Sequence, residues 1–491
     1  MEIQEENILN PRQARMEKLK KLIAQKINPF PSQASRTHRC LEIIVDFDEL
    51  AKKQIKVVLA GRIRSLRSHG GSCFIHFEDE TGKLQAYFKK DILKENYETL
   101  KELIDIGDFI QIKGSLFLTK KEEKTILADE FKLLSKSLLP LPEKWNGLKD
   151  VEIRYRKRYL DLISNPTVKD IFIKRSIVIN AIRQFLHQEG FMEVETPILQ
   201  PIPGGASAKP FITHHNALNI DLYLRVAPEL YLKRLIVGGF EKVYELGRSF
   251  RNEGIDHRHN PEYTSLEFYW AYADYQILMG FTEKLFTEII NKIQDSFEIK
   301  YKDKILNFKP PWPRKTFKKA LFDLANIDIT NLSKEKLIKE MKKLKLQANK
   351  KDELVALYEI LYKEIILPSI EQPTIIMDYP IEMEPLAKKC EDDPRFAQRF
   401  QLVVCGIELL KAYSELNDPL DQKKRFEEQQ KLISKGDEEA QRIDKDFIET
   451  LEYGMPPCAG EGIGIDRLVS ILTNSHSLKE VILFPTLKPK K

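Results

Sequence analysis

The stretch from Val243 to Trp270 constrains this chain more than any other, because it reads as strand, loop, strand with two very different faces. Its flanks are aromatic and branched with no internal proline. Its middle holds Gly254, Asp256, His257, Arg258, His259 and the pair Asn260-Pro261, which suits a loop. Alternation with period two puts Glu245, Gly247, Ser249, Arg251 and Glu253 on one face of the first strand. In the second, Tyr263, Ser265, Glu267 and Tyr269 share a face, while Leu266, Phe268 and Trp270 point to the other and are candidate core. A solvated polar face is the commoner reason for such alternation. Here acids, an arginine, two phenols and a glycine gap occur together, a mixture that fits an adenine, a phosphate and a polar substrate better than water.

The chain has 491 residues, more than one ordinary core, so at least two domains are expected. Hydrophobic content of 42% with 31% charged residues places it among soluble globular proteins, and no apolar run is long enough to span a bilayer. The first ten residues are polar and acidic, unlike a signal peptide, so a cytoplasmic location is expected. A net charge of +5 excludes a surface that coats DNA; a nucleic-acid partner needs a local basic patch. Cys40, Cys73, Cys390, Cys405 and Cys458 form no CxxC and have no histidine pair at zinc spacing, which argues against a disulfide framework or structural zinc.

Residues 1–50 read as an amphipathic helix, Pro11–Ile27, and a lead-in; Leu19, Leu22, Ile23 and Ile27 make its apolar side and Asn28-Pro29 stops it. A docked helix with a solvated basic face is the simpler reading, a basic arm near RNA the alternative. Residues 51–136 contain five short strands with a helical piece, Leu93–Ile104, after the third, as in a small OB-type barrel. Such barrels bind single strands by stacking bases on aromatics beside basic residues. Phe74, His76, Gln85, Arg62 and Arg67 are the candidates for stacking, edge hydrogen bonds and phosphate charge; Phe74 fits barrel core equally well. Residues 137–150, with Pro140 and Pro142, read as a linker.

Residues 151–491 form the larger domain. Lys169–Leu199 reads as a helix ended by Gly190 and then a strand broken by Pro197. Pro203-Gly204-Gly205-Ala206 is a turn whose glycines let backbone N–H groups approach a ligand. Arg225–Lys233 opens a helix with Pro228 near its first position and Glu229 in its first turn. Asp274–Gln294 is a further helix. A helical insertion is expected over about 295–375, with Ser333–Lys351 as solvated helix surface. In Glu382–Asp421, Gln401, Glu408, Lys411, Tyr413 and Glu415 fall close together. Glu408 and Glu415 are seven apart, so a bulge or bend is needed if both face one ligand. Gly460-Glu461-Gly462-Ile463-Gly464-Ile465-Asp466-Arg467 reads as a strand running into a helix, and Val481–Pro485 as a closing strand or turn. The chain has no Walker-type Gly-Lys-Ser/Thr, so ATP would bind without a P-loop.

Phe250-Arg251-Asn252-Glu253 with His259 and Tyr263 resembles motif 2 of the class II aminoacyl-tRNA synthetases. Lys169–Leu199 resembles their motif 1 and Gly460–Leu468 their motif 3, while Tyr413-Ser414-Glu415-Leu416-Asn417-Asp418 resembles the bacterial-type lysyl-tRNA synthetases. The resemblance covers nearly the whole chain. It implies an α+β fold: an N-terminal OB-fold barrel that binds the anticodon, and a class II catalytic domain built on an antiparallel sheet flanked by helices. It implies that lysine and ATP form lysyl-adenylate and pyrophosphate, and that the lysyl group then passes to the 3′-terminal adenosine of tRNA(Lys). Arg251, Glu253 and Arg467 would be catalytic. The lysine pocket would comprise Gly205 and Glu267 at the α-amine, Glu229, Glu415 and Tyr269 at the ε-ammonium, with Arg251, Lys411 and Tyr413. ATP would meet Arg251, Glu253, His259, Asn260, Glu408 and an adenine sandwich of Tyr263 and Arg467. The family carries up to three magnesium ions per subunit, here at Gln401 and Glu408. Phe74 and Gln85 would contact anticodon bases, with Arg67 and Glu130 nearby. A homodimer through motif 1 is implied, and no membrane or DNA partner.

Two departures stand out. The family has Glu where this chain has Gln401, and Asn where it has Lys411, so one magnesium position is expected to be weakened. The rival readings are an aspartyl- or asparaginyl-type synthetase, which needs a cationic side-chain pocket, a paralogue that lysylates an elongation factor, and an RNA-binding scaffold that has lost its site.

Overall fold

Five strands whose odd and even residues differ in polarity close into a barrel: β1 (Val57–His69), β2 (Ser72–Glu78), β3 (Lys83–Lys89), β4 (Phe109–Leu118) and β5 (Lys124–Ser135), in the order β1-β2-β3-β5-β4. The computed structural model describes residues 2–142, 148–434 and 440–489. The chain divides into two compact units, Met1–Gly147 and Leu148–Lys491. Of the expected linker, residues 143–147 lie outside the described residues. In β2, Cys73, Ile75 and Phe77 enter the barrel core, so Phe74 and His76 stay on its half-buried outer face. The helix after β3 runs Glu95–Leu103 and seats Tyr97, Leu100 and Leu103.

The N-terminal helix runs Glu2–Ala24 and stops earlier than Ile27. Lys26 takes a left-handed φ of 60°, and the Ile27 N–H returns 3.0 Å to the Leu22 carbonyl, a turn that closes the helix. Leu22 is buried in the barrel core. The basic side is also engaged: Arg15 donates to the Ser137 and Leu139 carbonyls, and Lys18 pairs with Asp105 at 2.6 Å. The docked reading of this helix is the one its contacts support.

In the second unit the short strands are β6 (Met192–Glu193), β7 (Leu199–Gln200), β8 (Ile212–His215) and β9 (Ile220–Leu224). The hairpin of the sequence is β10 (Lys242–Phe250) and β11 (Glu262–Ala271), followed by β12 (Glu298–Tyr301), β13 (Lys304–Asn307), β14 (Arg314–Thr316) and β15 (Thr374–Pro380). The last strands are β16 (Phe396–Val404), β17 (Ile407–Ser414) and β18 (Cys458–Gly464). Eight of them form one sheet in the order β14-β15-β16-β17-β18-β11-β10-β6. Its interior is antiparallel as expected, and each edge pair, β14 with β15 and β6 with β10, is parallel.

One sheet face carries Leu266, Phe268, Leu410, Ala412 and Ile463 into a core shared with the helices Pro166–Gln188, Tyr275–Ile293 and Ile465–Leu472. Asp274 fixes where the second of these begins, since its carboxylate accepts the Ile277 N–H at 2.8 Å. The opposite face is the polar one.

Several boundaries differ from the sequence reading. The expected strand over Phe191–Leu199 is reduced to β6 and β7, split around Pro197. The expected helical insertion is helical only from Phe317 to Ser369, because β12 and β13 form a hairpin and β14 joins the main sheet. Within it, the lysine-rich helix is Lys334–Lys343 and has a buried side of Leu337, Ile338 and Met341. A short helix, Leu478–Val481, stands where a closing strand or turn was expected to begin.

Candidate functional site

The polar sheet face lines a cavity of about 480 Å³. Cross-strand register explains why it stays open. Gly464, Gly462 and Gly460 of β18 pair with Ser265, Glu267 and Tyr269 of β11, and a Cβ on Gly460 would collide with Tyr269 and Glu415. Gly205, at φ +85°, brings its turn so close that a Cβ there would lie 2.9 Å from that of Glu229. Gly205, Glu229, Arg251, Glu253, His259, Asn260, Tyr263, Glu267, Tyr269, Gln401, Glu408, Lys411, Tyr413 and Arg467 all line this one space. Arg251 and Glu253 lie just beyond the end of β10, in the loop between the two hairpin strands.

Three acids gather at one end. Glu229 opens the helix Glu229–Val237 and is 5% exposed, and Glu267 faces the cavity from β11; Glu415, expected on the pocket wall, follows β17, is 1% exposed and lies behind the lining, against Lys233. Between Glu229 and Glu415 stands Lys233, fully buried, whose ammonium is 2.6 Å from Glu229 and also pairs with Glu415. Burial alone would lower the Lys233 pKa, but the two glutamates outweigh it and hold the group charged. Tyr413 donates to Glu229 at 2.7 Å, and Tyr269 to Glu267 at 3.3 Å. Burial and the neighbouring Glu229 push the Glu267 carboxyl up to about 8, and raise that of Glu415 against the pull of Lys233. Both Glu415 oxygens lack a well-aligned hydrogen-bond donor. Three carboxylates facing one internal ammonium leave room for further positive charge. The sequence reading missed Lys233, although its spacing of four from Glu229 on a helix was a signal.

Arginines mark the other end. Arg251 stacks over Tyr263 at 5.2 Å, forms no ion pair among the described residues, and has a buried Nε without an acceptor. Arg467, in the first turn after β18, donates to the Glu408 carbonyl at 3.0 Å and lies 3.8 Å from the Glu408 carboxylate. Asp466 anchors that turn by accepting the Thr264 N–H at 3.0 Å and pairing with Arg175. His259 is tied to Asp256 at 2.9 Å, and Asn260 donates to the Glu262 carbonyl at 2.7 Å. Glu245, on the same hairpin face, does not reach the cavity chemistry: it pairs with buried Arg225 and accepts from Thr196.

Glu408 reaches the cavity through a bulge. The β16–β17 register pairs Leu402 with Leu410 but Val403 with Glu408, so Leu409 is extra and Glu408 turns to the face that Gln401 and Lys411 share. The expected role of Gln401 does not fit the geometry. Its Oε1 accepts the hydroxyls of Tyr362 at 2.8 Å and Tyr379 at 2.7 Å, which uses both lone pairs, so it has none left for a metal. Lys411 pairs at 2.8 Å with Glu384, whose other oxygen is held by Arg399. Among the described residues no group of three or more His, Cys, Asp or Glu is placed to hold a metal.

On the barrel, Phe74 stacks on Tyr87 with ring centroids 4.4 Å apart, and Phe117 tilts against Tyr87. Register places Arg67 opposite Phe74 and Gln85 between His76 and Thr125, so these residues share one outer face. Gln85 donates to Thr125 at 2.9 Å, and His76 bonds Ser65 and Glu123. Arg62 and Glu130 are not brought to this cluster. Arg62 lies further along β1, over Phe109 and bonded to the Gly107 carbonyl, and Glu130 pairs with Lys113 beyond a register shift. Tyr87 and Phe117 were missed because strand aromatics look like core in a sequence.

Comparison with known proteins agrees with this geometry. Residues 150–488 match the family described as tRNA synthetases class II (D, K and N), and residues 57–134 match the OB-fold nucleic acid binding domain. The lysine–tRNA ligase of Pelotomaculum thermopropionicum is 49% identical, covering 99% of this chain and 96% of its own. That of Thermosipho africanus is 48% identical over 97% and 96%, and that of Thermoanaerobacter pseudethanolicus 51% over 97% and 95%. The chain belongs to the class II aminoacyl-tRNA synthetases and, within them, to the lysine–tRNA ligase family.

Proposed function

We propose that this chain activates L-lysine with ATP and transfers it to the 3′-terminal adenosine of tRNA(Lys). The observation that carries this reading is the polarity of the cavity: Glu229 and Glu267 at one end, backed by buried Glu415, and Arg251 and Arg467 at the other. An ε-ammonium entering the acidic end meets Glu229 on the cavity wall, with Glu415 buried behind it and paired to Lys233, and the phenols of Tyr269 and Tyr413 close around it. Glu267 and the turn at Gly205 are left for the α-amine. An aspartate or asparagine side chain would leave these carboxylates uncompensated, which is costly in a buried site.

The first step needs no nucleophile from the protein. A carboxylate oxygen of lysine attacks the α-phosphorus, a P–O bond forms, and the P–O bond to pyrophosphate breaks. The chain aligns the reactants and stabilises charge growing on the phosphorus oxygens. Arg251, with a buried unpartnered Nε, is the guanidinium free to bridge carboxylate and α-phosphate. Tyr263 and Arg467 offer planar surfaces for the adenine, with Glu253, His259 and Asn260 around it. Magnesium entering with ATP would neutralise phosphate charge, and Glu408 presents a half-exposed carboxylate to that end. In the second step a ribose hydroxyl of the tRNA attacks the lysyl carbonyl and AMP leaves.

The barrel face of Arg67, Phe74, His76 and Gln85, with Tyr87, is proposed to hold the anticodon by stacking. A homodimer is proposed through β6 and the helix before it, where Ile173, Met192, Ile198 and Leu199 are exposed apolar residues beside a sheet edge. No helix among the described residues is long and apolar enough to cross a membrane, and a cytoplasmic location fits this reading.

The test is ATP–pyrophosphate exchange with each amino acid in turn. Exchange stimulated by lysine alone supports the reading. Exchange with aspartate or asparagine, or none with any amino acid, overturns it.

A further inference from the structure

Gln401 and Lys411 are direct cross-strand partners on β16 and β17, so their side chains rise side by side from the sheet into the cavity. We propose that this pair makes a subsite with a built-in cation: the Lys411 ammonium takes the place of a divalent ion between the amino-acid end and the phosphate end. The proposal rests on the synthetase reading and concerns the charge balance of that same cavity.

Three observations carry it. First, Gln401 is withdrawn from metal binding. It is 5% exposed, and its only acceptor atom is saturated by two phenols, one of them Tyr362 from the helical insertion. A ligand needs a free lone pair aimed at the ion, and Mg2+ further demands near-octahedral oxygen geometry, which a doubly hydrogen-bonded amide does not supply. Second, the carboxylate bonded to Lys411 among the described residues is already neutralised. Glu384 is 2% exposed and carries Lys411 on one oxygen and Arg399 on the other, so it is a tether for the ammonium and its charge is already offset. Third, Lys411 remains reachable. Its side chain keeps 42% of its exposure and lines the cavity, and along β17 it lies between Glu408 and Tyr413. That is the junction where a carboxylate bound at the acidic end would meet a nucleotide bound beside Arg467.

Electrostatics favours the same conclusion. A divalent ion placed beside Gln401 would sit against the Lys411 ammonium and the Arg399 guanidinium, and Glu408, which offsets part of that repulsion, is itself drawn to Arg467 at 3.8 Å. A fixed ammonium held by a buried glutamate avoids this and is present before nucleotide arrives. It supplies one charge where an ion supplies two, so the site relies less on magnesium without becoming independent of it.

The experiment counts ions. Mn2+ bound per subunit is measured from the loss of the free-ion electron paramagnetic resonance signal, with lysine and the β,γ-methylene analogue of ATP present. The wild-type chain is expected to bind one ion fewer than the double variant Gln401→Glu, Lys411→Asn. Equal counts overturn the proposal. A second measurement keeps the test sharp if the double variant does not fold. Affinity for the ATP analogue in excess chelator is compared between wild type and Lys411→Met, which keeps the stem and removes the charge. A loss of tenfold or more is expected; unchanged metal-free affinity overturns the proposal. Lysine-dependent exchange tests the synthetase reading separately, since it holds or fails whichever way the ions count.

Discussion

Replacing Lys233 with methionine keeps most of the side-chain volume and removes the one cation that separates Glu229 from Glu415. In the folded chain both carboxylates are buried, and Lys233 bridges them. Breaking a buried ion pair by removing one partner costs about 3–5 kcal/mol, because an uncompensated charge stays behind. Part of that is relieved when a carboxyl takes up a proton, and Glu415 already has a raised pKa. The penalty should therefore be larger at pH 9 than at pH 6. A ligand that brings its own ammonium to the same acids restores the balance, so lysine should stabilise Lys233→Met by more than it stabilises wild type. For reference, ligand at a hundredfold excess over its Kd contributes about 2.7 kcal/mol through mass action alone. Thermal unfolding with and without lysine, at the two pH values, measures all of this. If the variant matches wild-type stability at pH 9 and shows the same lysine shift, Lys233 does not set the charge of the pocket and the reasoning fails.

Two further outcomes are expected. Glu461 is buried with one oxygen unpartnered and only Thr282 on the other, and burial pushes its carboxyl from 4.5 up to about 8. A raised folded pKa means stability that is full below pH 4.5 and lost as pH rises through about 8; at about 1.4 kcal/mol per pKa unit, the ceiling is roughly 5 kcal/mol. Glu461→Gln mimics the protonated form, so denaturant unfolding should show it more stable than wild type at pH 9 and equal to it near pH 5; equal stability at both refutes the idea. Phe74→Ala removes the ring stacked on Tyr87 from the barrel's outer face. Base stacking of about 1–3 kcal/mol corresponds to a rise in KM for tRNA of roughly 5- to 150-fold, with lysine-dependent exchange unchanged; an unchanged KM in a charging assay would remove the ring from the anticodon reading.

The hairpin was legible because alternation is a local property: Leu266 and Phe268 alternate with Glu267 and Tyr269, and one bonded pair of strands fixes which set faces the core. Parity arithmetic also demanded an irregularity between Glu408 and Glu415, and the extra residue at Leu409 provides it. What stayed hidden depends on contacts between distant segments. Gln401 looked like a carbonyl ligand because nothing in its neighbourhood announces Tyr362, which comes from an insertion whose own sequence is uninformative. Glu245 resembled a site acid until Arg225 took it. Phe74 fitted core or surface equally until strand pairing set Cys73 and Ile75 inside.

The central claim is that the acidic end of the cavity selects an ammonium. Isothermal titration of lysine against norleucine tests it most directly, since norleucine replaces the ε-ammonium with a methyl group and keeps the unbranched chain. Leaving Glu229, backed by Glu415, without that partner should cost about 3 kcal/mol or more, roughly a 100-fold loss of affinity or greater. Norleucine binding within a few-fold of lysine would show that these carboxylates do not choose the substrate.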